Sequence, residues 1–407
     1  MYIYYFFALI VIWLGILSLR NGLSFSSYIR SELALPVSHF TPFVSVIAPC
    51  RGLEDGLREN IASLFQQNYP AYQLVFVTDR GEDPALGVIE RVREEAGHAA
   101  QDPRYPVTHF VIAGAATDSG QKVHNLRAAL LEVDARSEVL VFVDTDARPH
   151  REWLKSLVAP LVDERLGAST GYRWFIPLQG GLASHLRSVW NGSIASALGE
   201  REDKNFCWGG STAIRKSTFD ELQIRERWRG SVSDDFTMTR ALQEARRPIH
   251  FVPDCLVPSL DECSVRELLE FTNRQLKITR VYSPHLWKPV LIGSLLFCAI
   301  FFGGLALVIA RAISGLSYIG PLVLVLLIYV LGAAKAYIRL RAVSAGLVSY
   351  QRQLMKSWPA HLLLWPLASA LFLVNAVAAL FSRRIEWRGI TYDLKSPTEA
   401  VIIMRGK

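Results

Sequence analysis

The chain has 407 residues, 51% of them apolar and 20% charged, with 44 Lys and Arg against 37 Asp and Glu for a net charge of +7. That length allows two or three domains, and the apolar share excludes a disordered or fibrous chain and exceeds what an ordinary soluble enzyme needs. The positive charge does not read as nucleic-acid binding. Residues 1–310 hold 32 bases and 34 acids, so the surplus lies entirely among the hydrophobic runs of the last quarter. That is the distribution of a chain held against an anionic membrane surface.

In chain order, residues 1–19 carry no charge before Arg20 and lack a basic n-region, which reads as an uncleaved anchor over 1–20. Arg20 and Arg30 then place the following region, up to about residue 288, in the cytoplasm. That region opens with alternating signals: strands over 43–48, 73–78, 107–112 and 139–143, and helices over 56–67, 85–96 and 122–134. Alternation of this kind implies a mostly parallel α/β sheet over 21–263. An amphipathic interfacial helix follows at 264–286, then C-terminal membrane segments within 287–382 and a cytoplasmic-type tail over 383–407. Uncharged runs at 290–310 and 312–334 each suffice for a crossing, whereas Pro359 and Pro366 leave the run 357–382 open between a crossing and a re-entrant segment. Five cysteines without a CxxC pair argue against a disulfide framework or structural zinc.

In a parallel sheet ligands bind beyond the carboxyl ends of the strands. Pro49-Cys50-Arg51-Gly52 follows the first strand, Asp79 the second, and Asp144-Thr145-Asp146 the fourth. Two carboxylates at i and i+2 after a buried strand suit a hard cation, Mg²⁺ or Mn²⁺, with a nucleotide diphosphate completing its shell. A solvated acidic turn is the plainer alternative. Asp234-Asp235 opens a helix, either as caps or with one of the pair as a general base towards an incoming hydroxyl. Trp208-Gly209-Gly210-Ser211 is a plain turn or a place where a sugar approaches backbone beside an aromatic face. Arg274 and Lys277, on the amphipathic helix, either snorkel at the membrane or reach a diphosphate. GxGxxG and GxxxxGK[ST] are both absent.

The run PCRG (49–52), FVTDRGEDPA (76–85), KVHNL (122–126), DTD (144–146), WGGSTAIRK (208–216), SDDF (233–236) and RQLKI (274–278) resembles inverting family 2-type glycosyltransferases. More narrowly it resembles ceramide glucosyltransferases and bacterial transferases acting on ceramide or hopanoid lipids, and IEWRGITY (385–392) is similar to the end of that group. The resemblance implies a GT-A fold that moves a hexose, glucose first among them, from a UDP-sugar to a lipid hydroxyl, with ceramide the expected acceptor. It implies that Pro49, Arg51 and Asp79 hold uridine, that Lys122 and Asn125 lie near the nucleotide, and that Asp144 and Asp146 hold ribose and metal-diphosphate. Asp235, with Asp234 beside it, is the implied base, Trp208 to Ser211 shape the sugar and acceptor pocket, and Arg274 and Lys277 aid the diphosphate. The (Q/R)xxRW motif of that group stands here as RQLKI, with Lys277 and Ile278 in place of Arg and Trp. Compact loops suggest a bacterial inner membrane, and the Lys/Arg bias puts the catalytic domain in the cytoplasm. The alternatives are a hopanoid, diacylglycerol or polyprenol acceptor, a processive polysaccharide synthase, and a non-catalytic nucleotide-sugar binder.

Overall fold

A computed structural model describes residues 1–99 and 106–406. The chain divides into two units. Met1–Arg30, Phe175–Ser196 and Glu262–Arg383 form one, and Ser31–Trp174, Ala197–Asp261 and Arg384–Lys407 the other.

The first helix, α1 (Tyr2–Leu33), runs 32 residues. It passes beyond the uncharged stretch because Asn21 to Glu32 contains no Pro and few strong breakers, so nothing stops the helix at Arg20. The sheet unit then follows the alternation read from the sequence: β1 (Val44–Pro49), α2 (Leu57–Phe65), β2 (Tyr72–Thr78), α3 (Pro84–Ala99), β3 (Val107–Ile112), α4 (Gln121–Ala129) and β4 (Val139–Phe142). β1, β2 and β4 are buried almost throughout, as expected of apolar strands covered on both faces, whereas the edge strand β3 is partly exposed. After α5 (Trp153–Val158) come β5 (Ala168–Phe175), α6 (Leu182–Ala195), β6 (Thr212–Arg215), α7 (Lys216–Glu221), α8 (Ile224–Arg227), α9 (Asp234–Glu244) and β7 (Ile249–Ser259).

The strand order is β3-β2-β1-β4-β6-β5-β7. β1 pairs in parallel with both β2 and β4, and β2 with β3, while β6 runs antiparallel to β4 and β5. The chain moves outward from β1 through β3 and then returns to add β4 on the other side of β1. That reversal opens a crevice at the carboxyl ends of β1 and β4, where the sequence signals cluster. Beneath it, Val75, Val77, Leu126, Phe142, Phe219, Trp228 and Leu242 make one apolar core. Trp228 meets Phe142 edge-on at 5.4 Å and donates from Nε1 to the Asp234 carbonyl at 3.0 Å. Burying each of these large side chains contributes roughly 1.5–3 kcal/mol.

The helical unit contains α6 and five helices in succession: α10 (Val265–Tyr282), α11 (Pro284–Ile313), α12 (Ile319–Gly346), α13 (Gln351–Lys356) and α14 (Trp358–Phe381). Ser264 and Glu267 close a capping box at the start of α10. α1, α11, α12 and α14 are long and apolar enough to cross a membrane. Trp190 of α6 stacks on Phe372 of α14 at 4.6 Å. The last residues fold as β8 (Arg384–Trp387), β9 (Ile390–Ser396) and β10 (Glu399–Arg405), an antiparallel sheet that belongs to the sheet unit. Sequence reading saw only a tail there.

Within the sheet unit, His250 lies between Glu202 (2.8 Å from Nδ1) and Glu32 (3.2 Å from Nε2). Two carboxylate acceptors require both ring nitrogens to carry protons, so the imidazolium is favoured. Burial opposes this, but the two carboxylates prevail and raise the His250 pKa above its ordinary 6.5. The stabilisation is fully present below the ordinary value and is lost as pH climbs through the raised one, on the order of 1 kcal/mol for each pH unit of the shift. His250→Gln should therefore lower thermal stability more at mildly acidic than at alkaline pH. An equal loss at both, in denaturation scans across pH, would remove this role.

Candidate active site

The turn after β1 is fixed by backbone contacts. Cys50 donates its amide to the Val77 carbonyl at 2.8 Å, and buried Asp83 accepts the Gly52 amide with both carboxylate oxygens, at 2.9 and 3.0 Å. Pro49 ends the strand, and Arg51 comes 3.8 Å from the Asp79 carboxylate. Oδ1 of Asp79 is buried without a hydrogen-bond partner, an acceptor open to a ligand N–H or O–H.

The end of β4 holds the densest charge. Lys122 enters from α4 and lies 2.7 Å from Asp144 and 3.3 Å from Asp234 at the start of α9. Arg173, from β5, reaches Asp144 at 3.3 Å and Asp146 at 3.1 Å, and its guanidinium sits 4.8 Å from the Trp208 ring centre. Burial pushes the Asp144 carboxyl up, but Lys122 and Arg173 outweigh it and hold the group below its ordinary value. Asp146 goes the other way, raised by burial and neighbouring acids against the pull of Arg173. Burial, opposed by Lys122, pushes Asp234 up to about 6.

The C-terminal sheet completes this region. Arg388 and Gly389, both at positive φ (53° and 72°), form the two-residue turn between paired Trp387 and Ile390. From that turn Arg388 donates to the Arg51 carbonyl at 3.1 Å and pairs with Glu54. The Tyr392 hydroxyl accepts the Gln121 amide at 3.1 Å, while Arg405 donates to the Ala116 carbonyl and to Gln121 Oε1. Gln121 in turn donates to Asn125 Oδ1 at 2.8 Å, so Asn125 acts inside this network. Gly230, at φ 75°, lets the Thr398 carbonyl approach to within 2.0 Å of where a Cβ would stand.

A family model for glycosyl transferase family 21 matches residues 4–400 of the chain. The chain belongs to that family. Its mostly parallel α/β sheet is the one expected for the GT-A fold. Among solved structures, the mannosyltransferase PcManGT from Pyrobaculum calidifontis, in complex with GDP-Man and Mn²⁺, is 18% identical with a TM-score of 0.49, over 92% of this chain and 99% of that one. Glucosyl-3-phosphoglycerate synthase from Mycobacterium tuberculosis, in complex with Mn²⁺, UDP-glucose and glycerol 3-phosphate, is 13% identical with a TM-score of 0.36, over 59% and 79%.

In this family-21 transferase, Pro49, Arg51, Asp79, Lys122, Asn125, Asp144, Asp146, Asp234 and Asp235 all belong to the sheet unit. The two aspartates of α9 differ. Asp234 is 4% exposed and joined to Lys122, whereas half-buried Asp235 accepts the Phe236 amide at 2.7 Å and the Ser233 hydroxyl with Oδ1 alone. Ser211 is fully buried and accepts from Trp153 Nε1 at 2.8 Å, which gives it a place in the core rather than on an open rim. Arg274 and Lys277 lie on α10 of the helical unit, Arg274 5.7 Å from the Phe271 ring centre, and burial lowers the Lys277 pKa. Sequence reading missed Arg173 and the three C-terminal strands. The one signal for Arg173 is that it is the sole charged residue of an otherwise buried strand.

Among the described residues, no three His, Cys, Asp or Glu side chains gather into a ready-made cation cage. Asp144 and Asp146 offer two, and Oδ1 of Asp146 is buried without a partner. Among the described residues, Asp144, Asp146, Asp234 and Asp235 face only Lys122 and Arg173 as cations, a negative excess that fits a divalent ion whose shell a ligand completes.

Gly209 is required by this packing. A Cβ there would stand 2.2 Å from Asp234 Oδ2 and 2.9 Å from Lys122 Nζ. Gly209→Ala should displace the Lys122–Asp234 pair and lower transfer about 100-fold, the scale seen for an ångström of misplacement, while stability falls little. Activity within a few-fold of wild type in a product-release assay would show that the pair does not need this geometry.

Proposed function

We propose that the protein is a membrane-bound inverting transferase that moves a hexose, glucose first among the candidates, from a UDP-sugar to a lipid hydroxyl, with ceramide the leading acceptor. The observation that carries this reading is the acid-rich cluster of Asp144, Asp146 and Asp234 about Lys122, in a crevice shared with Arg51 and Asp79, in a family-21 chain. The orphan oxygen of Asp79 suits a uracil or ribose donor group, and Arg51 suits the base or the phosphates. Mn²⁺ or Mg²⁺, held by Asp146 with Asp144, would supply Lewis-acid stabilisation to the departing diphosphate.

The chain's own groups account for the remaining chemistry. Asp235 is the better placed base, because it is half-buried and uses only Oδ1 internally, whereas Asp234 is committed to Lys122. The lipid hydroxyl oxygen forms its bond to the anomeric carbon as the bond from that carbon to the UDP oxygen breaks on the opposite face. The hydroxyl proton passes to Asp235 Oδ2, and the configuration inverts. Lys122 keeps Asp144 and Asp234 charged and in register throughout, while Arg173 does the same for Asp146.

Membrane residence rests on the four apolar helices, and cytoplasmic orientation on Arg20, Arg30 and the acid-free basic run 335–356. Because β8–β10 share a unit with residues 31–174, the helices between them must return the chain to the side it left. An even number of α11, α12 and α14 therefore cross. α14 is the exception. Its Trp365 packs on Phe297 and Phe301 midway along α11, and its Ala376 carbonyl accepts from Trp287 near the start of α11, so the stretch from Trp365 to Ala376 runs beside the first half of that helix. On this reading α14 is re-entrant. Single cysteines placed in the tail and in the link between α11 and α12 should label from opposite sides of intact membranes; labelling from one side would make α14 a full crossing or exclude α11 and α12 as a pair.

A UDP-release assay on the full chain in detergent, crossing UDP-sugars with ceramide, diacylglycerol and hopanoid, tests the function. Release should require sugar, lipid and divalent metal together, and Asp235→Asn should lower kcat by at least about 100-fold while UDP binding persists. An active Asp235→Asn would move the base elsewhere, and release without lipid would replace transfer by hydrolysis.

A further inference from the structure

The helical unit holds a buried cation that nothing in the transfer chemistry uses. Arg339 of α12 is 4% exposed, its Nε has no hydrogen-bond partner, and among the described residues no carboxylate pairs with it. None is at hand in its own unit. Residues 271–383 contain no Asp or Glu. The three acids of the unit are engaged elsewhere: Glu262 with the Leu178 and Gln179 amides, Glu267 in the capping box and Glu270 with Arg266. One turn earlier on the same helix face, Lys335 spends one donor on Ser18 Oγ at 2.7 Å. The neighbourhood adds further donors. His361 of α14 is 1% exposed, with Nε2 3.5 Å from Ser188 Oγ, and it lies within electrostatic reach of both Arg339 and His185. Nδ1 of His185 is buried without a partner.

A guanidinium removed from water without an anion is costly, because its desolvation is unrecovered. Five N–H groups in a planar fork match the oxygens of a phosphate, and a second cation one turn away adds to the attraction. Arg339 lies seven residues before the end of α12 at Gly346, ~10 Å along the axis, a headgroup depth if the helix spans a bilayer.

We propose that Arg339, with Lys335 and the histidines at 185 and 361, forms a binding site for the phosphate of an anionic membrane phospholipid within the helical unit. It rests on the membrane reading above but not on the transfer reaction, so its test does not depend on turnover.

The full chain is purified, exchanged into neutral detergent, and offered phosphatidylglycerol, phosphatidylcholine or inorganic phosphate. Retained phospholipid is counted by native mass spectrometry and thermal stability is followed in parallel. Phosphatidylglycerol should be retained and should raise the melting temperature by several degrees, phosphatidylcholine should do neither, and Arg339→Gln should weaken retention about tenfold, ~1.4 kcal/mol, with UDP binding unchanged. Arg339→Lys should keep an intermediate retention. Equal retention by wild type and Arg339→Gln overturns the site, and an equal stabilisation by inorganic phosphate overturns the lipid assignment. If Arg339→Gln does not fold, the wild-type comparison of phosphatidylglycerol with phosphatidylcholine decides alone, and no difference between them overturns the proposal.

Discussion

A single ammonium group organises the catalytic unit. Lys122 reaches from α4 to Asp144 after β4 and to Asp234 at the head of α9, and those three elements have no shared sequence neighbourhood. The two carboxylates repel one another, and Lys122 between them offsets the cost of holding both out of water. The pairings therefore act as a geometric lock. Gly209 must lack a side chain to leave room for it, Trp228 anchors the Asp234 backbone from the core side, and Gln121 fixes the helix turn from which Lys122 projects. The cluster is close-packed but not neutral, and that residual negative charge favours a divalent cation over an anion there.

Much of this was legible beforehand, because the parallel strands are apolar along their whole length and their ends carry the carboxylates. β1, β2, β3 and β4 fall within a residue or two of their expected bounds, and the acidic motifs sit where topology says a ligand should bind. What escaped notice has a common cause. Arg173 takes its meaning from a strand that pairs antiparallel, after the alternating pattern has ended, and single-residue periodicity says nothing of what lies across a sheet. The C-terminal sheet is short and half exposed, with alternating burial at Ile390, Tyr392 and Leu394. That alternation and the Arg388-Gly389 turn were present in the sequence, but a tail rich in bases read more easily as a solvated end. The difference between Asp234 and Asp235 was also hidden, since adjacent residues of a helix first turn diverge in direction only once the helix is placed.

The two units handle charge in opposite ways. Around Lys122 the sheet unit sets four aspartates against two bases, whereas the helical unit holds three acids and buries a base at Arg339. The first imbalance is the one the proposed divalent ion would offset, the second the one the proposed lipid phosphate would offset.

The residues that brace the Arg51 and Gln121 turns lie more than 260 positions further along the chain, beyond all the long apolar helices. A chain still missing β8–β10 has β1 to β7 and every acidic motif, yet lacks Arg388 on the Arg51 turn, Tyr392 on the Gln121 amide and Thr398 against Gly230. Because α11, α12 and α14 precede those strands, this part of the site is closed only after the apolar segments have been synthesised and have begun to find their surroundings. The sheet unit is thus closed by a segment distant in sequence, so its turns at Arg51 and Gln121 depend on contacts of long sequence separation.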